Sequence, residues 1–279
     1  MPGIDMHAHT TASDGSLTPT ELVTLASQIG LDALAVTDHD TVDGIAEAVE
    51  AAQHIGLELI PGIELAVEYT SGRFHMLGYD IDPSSKTLSD RLTLLKHNRL
   101  QRNVRIVEKL QSLGFDISMA DVERESRGGQ IGRPHLAAAL VRKKLASSSA
   151  EAFETYLKDG ALAHVPKDKI SLQEGIDLIH SAGGKAVMAH PSSVKLDDSV
   201  LQSELFQFAE MGLDGMECCY NLYSPERCDE YAAMAANAGL LTTGGSDFHG
   251  DAKPKVFLGH VIGTDPAPYA LLENLRQNK

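Results

Sequence analysis

Short β-rich runs that end in histidine or a carboxylate, each followed by a helical stretch, are the feature that most narrows what this chain can become. Ile4 to His7 reads as a strand and leads into Ala8-His9-Thr10-Thr11-Ala12-Ser13-Asp14-Gly15. Thr18-Pro19-Thr20-Glu21 then opens a helix, with Thr18 as N-cap and Pro19 at the first helical position, where a missing N–H is harmless. Asp32 to Asp38 is the next β-rich run; it ends in Thr37-Asp38-His39-Asp40, and a helix follows to about Ile55. Leu57 to Glu64 is strand-like but broken by Pro61-Gly62, and Arg73 to Tyr79 reads as a strand carrying His75. Strands alternating with helices imply parallel β/α units. In such sheets and barrels functional residues collect at the carboxyl ends of strands, where His7, His9, His39 and Glu64 all fall.

From Ser85 to about Val165 the strand signals vanish. Leu92, Leu95, Val104, Val107 and Leu110 recur at helical spacing until Gly114, with Arg99, Arg102, Arg105 and Lys109 on another stripe. Asp121 to Arg127, Pro134 to Leu145 and Ala150 to Leu157 read as further helical pieces, with Gly128-Gly129 between the first two. The expected division is a first barrel part over 1–99, a small helical insertion domain over 100–165, and a second barrel part over 166–279. In that last part Ser171 caps a helix to Ala182, and Lys185 to Ala189 is a strand ending at His190-Pro191. Leu213 to Cys218 is another strand, Ser224-Pro225-Glu226 starts a helix, and Leu240 to Thr243 leads into Gly244-Gly245-Ser246-Asp247-Phe248-His249. A last strand near Val256 to Val261 and a C-terminal helix complete the pattern.

Charge sharpens the reading. The 279 residues carry a net charge of −15, yet Arg91 to Lys144 holds 12 Lys and Arg against 5 Asp and Glu, a local +7 that leaves −22 for the rest. A basic region serving an anionic substrate is one explanation, and a solvated helix face is the other. Bound cations would offset part of the acidic excess. With 43% hydrophobic and 23% charged residues the composition is that of an ordinary globular protein. No apolar run approaches the roughly 20 residues of a membrane span. Asp5 and His7 interrupt any signal-peptide pattern at once, so a cytoplasmic protein is expected. Cys218, Cys219 and Cys228 lack metal-ligand spacing and read as buried reduced thiols.

The strand-end residues assemble into a candidate metal set: His7, His9, Asp14, His39, Glu64, His75, His190, Asp247 and His249. Two residues apart on an extended segment, His7 and His9 point to one side, and Asp247 and His249 repeat that spacing. A lone His-x-His is weak evidence, because histidines at period two also occur on exposed strands. Six histidines and three carboxylates exceed one mononuclear site and suit two or three ions sharing a bridging carboxylate and a bridging hydroxide. Imidazole and carboxylate without thiolate favour manganese, zinc or iron over magnesium alone.

These residues closely resemble the metal signature of the PHP family, named for its occurrence in polymerases and histidinol phosphatases. The resemblance covers the chain outside the helical insertion and implies a distorted (β/α)7 barrel with its metals at the carboxyl face. By that resemblance His7, His9, Glu64 and Asp247 would hold a first ion. Glu64 would bridge to a second held with His75 and His190, and Asp14, His39 and His249 would hold a third. Gly-Arg133-Pro-His135 after a basic helix, with the closing Gly-Gly-Ser-Asp-Phe-His, is similar to the stand-alone branch containing nucleoside 3′,5′-bisphosphate phosphatases and RNase AM-type 5′-to-3′ exonucleases.

Phosphoester hydrolysis is the chemistry that follows. A hydroxide held between two cations, with Glu64 and its neighbours as ligands, is a nucleophile at neutral pH, so no side-chain nucleophile is expected. A substrate with a second phosphate gives Arg133 and His135 an acceptor, since Arg grips phosphate oxygens bidentately. The expected function is hydrolysis of the 3′-phosphate of nucleoside 3′,5′-bisphosphates, extending to short 5′-phosphorylated oligonucleotides, with no membrane and no obligate protein partner. Histidinol-phosphate phosphatase shares the metal set but leaves the basic insert without a second phosphate. A metal-stabilised binding module would predict lost ligands, and an amidohydrolase barrel commonly bridges its metals with lysine where this chain has Glu64. Asp38 and Asp40 are candidates for orienting imidazoles or capping a helix, and Tyr220, Asn221 and Tyr223 for stacking a base.

Overall fold

A computed structural model describes residues 3–126 and 131–277. In chain order the elements are β1 (Gly3–Asp5), α1 (Pro19–Gln28), β2 (Ala33–Val36), α2 (Ile45–Ile55), β3 (Glu58–Val67), β4 (Phe74–Tyr79), α3 (Lys86–Ser112), α4 (Met119–Ser126) and α5 (Arg133–Arg142). Then come α6 (Ser149–Ala152), continued by a π-turn over Phe153–Leu157, α7 (Leu172–Ser181), β5 (Lys185–Met188), α8 (Asp198–Glu210), β6 (Gly215–Tyr220), α9 (Pro225–Asn237), β7 (Leu241–Gly245), β8 (Ala267–Pro268) and α10 (Ala270–Gln277). The Arg127 end of one expected helix, and Gly128-Gly129 after it, lie outside the described residues.

The strands form one sheet in the order β7-β6-β5-β4-β3-β2-β1-β8. The segment after β1 reaches β7 across the sheet: Met6 N donates to Gly244 O at 3.2 Å and Asp247 N to His7 O at 2.8 Å, which nearly closes a barrel. Ala33-Leu34-Ala35-Val36 is buried throughout, as expected of a parallel strand covered on both faces. α1 starts where its sequence says: Thr18 Oγ1 accepts from Glu21 N while Glu21 returns the bond to Thr18 N, a reciprocal cap. Ser171 and Ser224 cap α7 and α9 through the side-chain bond alone, accepting from Glu174 N and Arg227 N.

Three features depart from the sequence reading. β4 is antiparallel to both β3 and β5, because the link from Val67 to Phe74 is too short for a crossover helix and can only turn the chain back. β3 runs unbroken through Pro61-Gly62: Pro61 O still accepts from Ile81 N, and a Cβ added at Gly62 would lie 3.0 Å from the backbone oxygens of Val36 and Gly78. No strand forms over 256–261, where Gly259 turns at φ 78° and its N–H bonds buried Asp5 instead. The edge strand that does form, β8, pairs antiparallel with β1. The helix α8 is an element the sequence reading passes over.

The apolar interior divides. Leu88, Leu92 and Leu95 of α3 pack into the barrel core, whereas Ile106, Val107 and Leu110 of the same helix pack with Val122, Leu136 and Leu140. α3 therefore carries one end in each cluster. A third cluster joins α1 and α2 to β2 through Leu22, Val23, Ala48 and Leu34. No helix among the described residues is long and apolar enough to cross a membrane.

Candidate metal centre

β1 ends at Asp5, so His7 and His9 follow the strand rather than ending it. Their segment stays extended, with Ala8 bridged to Phe248, and the two rings lie 5.2 Å apart on one side. The turn that follows is clamped by Asp38, whose carboxylate accepts from Thr10 N at 2.8 Å, Thr10 Oγ1 at 2.6 Å and Ser13 Oγ at 2.5 Å. That clamp, rather than an imidazole contact, is the work of Asp38, and it carries Asp14 to within 3.4 Å of His249 Nε2 and 3.9 Å of His39 Nε2.

Glu64 stands at the centre, wholly buried on β3. Its Oε1 accepts from His75 at 2.8 Å and His190 at 3.0 Å. Its Oε2 lies 2.9 Å from His39 Nδ1, 3.3 Å from His9 Nε2 and 3.4 Å from His7 Nε2. Asp247 Oδ1 is 3.4 Å from His9 Nε2 and 3.5 Å from His7 Nε2. All nine residues singled out from the sequence thus converge. Three overlapping groups have ligand atoms within 4.8 Å of one another: His7, His9 and Glu64; His39, Glu64 and His75; His9, Asp14, His39 and His249.

The donor atoms fit divalent ions. His7 Nε2, both ring nitrogens of His9 and Glu64 Oε2 are buried without a hydrogen-bond partner among the described residues. Buried polar atoms are rarely left so, since each forfeits its hydration. Here they face one another across the gap a cation would fill. Burial alone would raise the carboxyls of Glu64, Asp14 and Asp247, but neighbouring imidazoles more than offset it and hold all three well below the usual range. Burial drives the His75 imidazolium down to about 4 against the pull of Glu64, leaving a neutral ring at physiological pH. Two of the residues are held in left-handed backbone, His190 at φ 26° and Asp247 at φ 57°, conformations that surrounding structure must impose. Asp247 and His249 are therefore not two positions of one regular extended segment: the left-handed backbone at Asp247 breaks it.

The cluster lies in a cavity of about 1440 Å³ whose walls include Arg99, Arg102, Arg133, His135, Lys167 and Leu222. Asp40, at φ 51°, bonds Ala66 N and pairs with both Arg99 and Lys167. Arg133 pairs with Asp159 at 2.8 Å and also donates to Leu157 O. Of the basic stripe, Arg99 and Arg102 face the cavity, while Arg105 bonds Gln101 O in its own helix and Lys109 bonds His164 O. The base-stacking expectation does not hold for Tyr223, which is packed in the core with its hydroxyl on Ser192. Tyr220 gives its hydroxyl to Asp247 Oδ2 at 2.9 Å, and Asn221 bonds Ser246 O. The exposed side chain of that loop is Leu222.

Sequence reasoning missed two participants, one buried and one half-buried. Glu217, midway along β6, accepts from His7 Nδ1 at 2.9 Å and from His190 N at 2.7 Å. Lys167 carries no motif. A lone carboxylate inside the otherwise apolar Gly215-Met-Glu-Cys-Cys-Tyr220 run was the available signal for the first.

A nearly closed β/α barrel with nitrogen and carboxylate donors gathered at its rim, and no thiolate among them, defines a metal-dependent phosphoesterase class. The chain belongs to the PHP domain family, whose model matches residues 5–182. It is 38% identical over 247 residues to the 5′-3′ exoribonuclease Rnm of Escherichia coli (strain K12), covering 88% of this chain and 84% of that one. It is 31% identical over 270 residues to a 3′,5′-nucleoside bisphosphate phosphatase of Chromobacterium violaceum, covering 95% and 94%. A crystal structure of a candidate metal-dependent phosphoesterase from Bifidobacterium adolescentis superposes with a TM-score of 0.85 at 35% identity, covering 98% of this chain and 95% of that one.

Proposed function

We propose that this enzyme hydrolyses the 3′-phosphate of nucleoside 3′,5′-bisphosphates and trims short 5′-phosphorylated oligonucleotides from the 5′ end. The observation that carries the reading is the pairing, in one cavity, of an acidic-imidazole donor cluster with a separate cationic wall. A bisphosphate needs both: one phosphate at the reacting centre and one held away from it. Relatives named for each activity support the same pair of substrates. Both reactions break an ester at a 3′ oxygen while a 5′-phosphate is recognised, so one anchor serves both. The nucleotide substrate class goes with the cytoplasmic setting expected from the sequence.

Three ions are proposed, held by His7, His9, Glu64 and Asp247, by Glu64, His75 and His190, and by Asp14, His39 and His249, with manganese as the first candidate and zinc, iron or magnesium as others. Bound there, divalent ions would polarise phosphoryl oxygens and make water a competent nucleophile at neutral pH. The protein's own part is to keep His75 neutral, to hold Glu64 ionised among the three ions' ligands, and to anchor the distal phosphate. For that anchor we propose Arg133 and His135, joined by Arg99 and Lys167. The His135 Nδ1 accepts from Gly132 N at 3.0 Å, so a neutral ring carries its proton on Nε2 as a donor. Arg133 would exchange Asp159 for phosphate. Residues 100–165 are proposed as the helical unit that supplies Arg133 and His135 to this wall, supported by their own apolar cluster.

The test is a parallel assay of manganese-loaded protein on adenosine 3′,5′-bisphosphate, a 5′-phosphorylated dinucleotide and histidinol phosphate. The first two are the expected substrates, and histidinol phosphate as the favourite would overturn the reading. Arg133→Ala is expected to slow bisphosphate turnover roughly 10- to 100-fold while leaving 3′-monophosphate turnover nearly unchanged, as loss of a bidentate phosphate contact implies. Equal losses on both would remove Arg133 from the anchor.

A further inference from the structure

Glu217 is wholly buried on β6, yet its two carboxylate oxygens serve two different strand ends of the metal centre. Oε1 accepts from His7 Nδ1, and Oε2 accepts from the backbone N–H of His190, the residue held at φ 26°. His7 Nε2, on the far side of the same ring, is buried without a hydrogen-bond partner and faces Glu64 and Asp247. We propose that Glu217 is a positioning residue of the metal centre, fixing the His7 proton on Nδ1 so that Nε2 is free to ligate, and pinning the left-handed His190 main chain so that its ring reaches Glu64. The inference rests on the metal-dependent reading above.

The chemistry behind it is the inequivalence of the two imidazole nitrogens. A ring that donates from Nδ1 to a carboxylate presents its lone pair at Nε2, which is what an ion needs. Glutamine has nearly the same shape but cannot replace Glu217 in both contacts. With its oxygen on His190 N–H, its amide NH2 faces His7 and demands an acceptor at Nδ1, which moves the ring proton to Nε2. With the amide reversed, two donors meet at His190. Either way one of the two ligands is lost to the ion, whereas a merely space-filling role would tolerate the change.

Two measurements test this. The first needs no variant: long-range 1H–15N spectra of zinc-loaded, 15N-histidine-labelled wild-type protein are expected to show His7 protonated on Nδ1, assigned by its loss in His7→Gln. The second compares ion stoichiometry and chelator-competition affinity in wild type and Glu217→Gln. The variant is expected to bind at least one ion fewer, or about 10- to 100-fold more weakly, as loss of a carboxylate behind a metal-ligating histidine does. His7 protonated on Nε2 in the wild type, or a variant that takes up the same ions within twofold, would overturn the role of Glu217 while leaving the metal centre intact. A wild-type protein that takes up no divalent ion overturns the metal reading as well.

Discussion

Lys167 shows what a single side chain without a motif can contribute. Burial pushes its ammonium down to about 8, with Asp40 resisting the drop and Arg99 adding to it. The sign follows directly: below that value Lys167 is a cation on the cavity wall, and above it the amine is neutral and offers a phosphate less. The KM for adenosine 3′,5′-bisphosphate is therefore expected to rise roughly threefold to tenfold from about pH 7 to pH 9, since about 1.4 kcal/mol corresponds to tenfold. Lys167→Arg, whose guanidinium stays charged, should flatten that rise. An unchanged profile in the arginine variant would assign the titration elsewhere. At this scale the nine donors were legible because each lies on or after a strand signal and each is a residue type that binds metals. Glu217 and Lys167 were not, because their importance lies in partners distant in sequence: His7 follows β1 and Asp40 follows β2.

At the level of the elements, the barrel seam decides whether the ligands meet. Gly245, the last residue of β7, passes so close to the segment after β1 that an added Cβ would lie 2.3 Å from His7 Cβ and 2.5 Å from His7 N. Neither atom can swing aside as a side-chain tip would. Gly245→Ala is expected to destabilise the fold by roughly 1–3 kcal/mol, the usual range for overpacking, and to weaken ion uptake because the displaced segment carries His7. Gly239→Ala is the control: at φ 73° with open space around it, it should cost stability without touching the ions. Urea melts and ion counts on both variants check this, and normal ion uptake by Gly245→Ala would separate the seam from the site. Most element types were readable from local caps and periodicity, as at Thr18, Ser171 and Ser224. The direction of β4 is not shown by apolar alternation, which is the same for parallel and antiparallel neighbours; the short link before Phe74 was the available signal. The false strand at 256–261 arose from β-prone residues whose backbone is taken by Asp5 and a turn.

For the molecule as a whole, the net charge of −15 and the ionised carboxylates at the barrel rim mean that ions should matter to stability as well as to activity. Removing divalent ions with a chelator is expected to abolish hydrolysis and lower the melting temperature, and manganese should restore both. A ligand at 100 times its Kd stabilises the folded state by about 2.7 kcal/mol per independent site, enough for a shift of several degrees. Full activity after chelation would sink the mechanism. The sequence by itself determined that strands alternate with helices, that a basic helical stretch interrupts them, and that six histidines and three carboxylates of metal-binding type lie on or after strand signals, because caps, periodicity and residue chemistry act over a few neighbours. Only the tertiary structure decided that Asp5 takes the backbone of the expected last strand, that Glu217 reaches His7 and His190, and that Lys167 pairs with Asp40 at the cavity wall, because those facts depend on which distant segments the closing barrel brings within a hydrogen bond of one another.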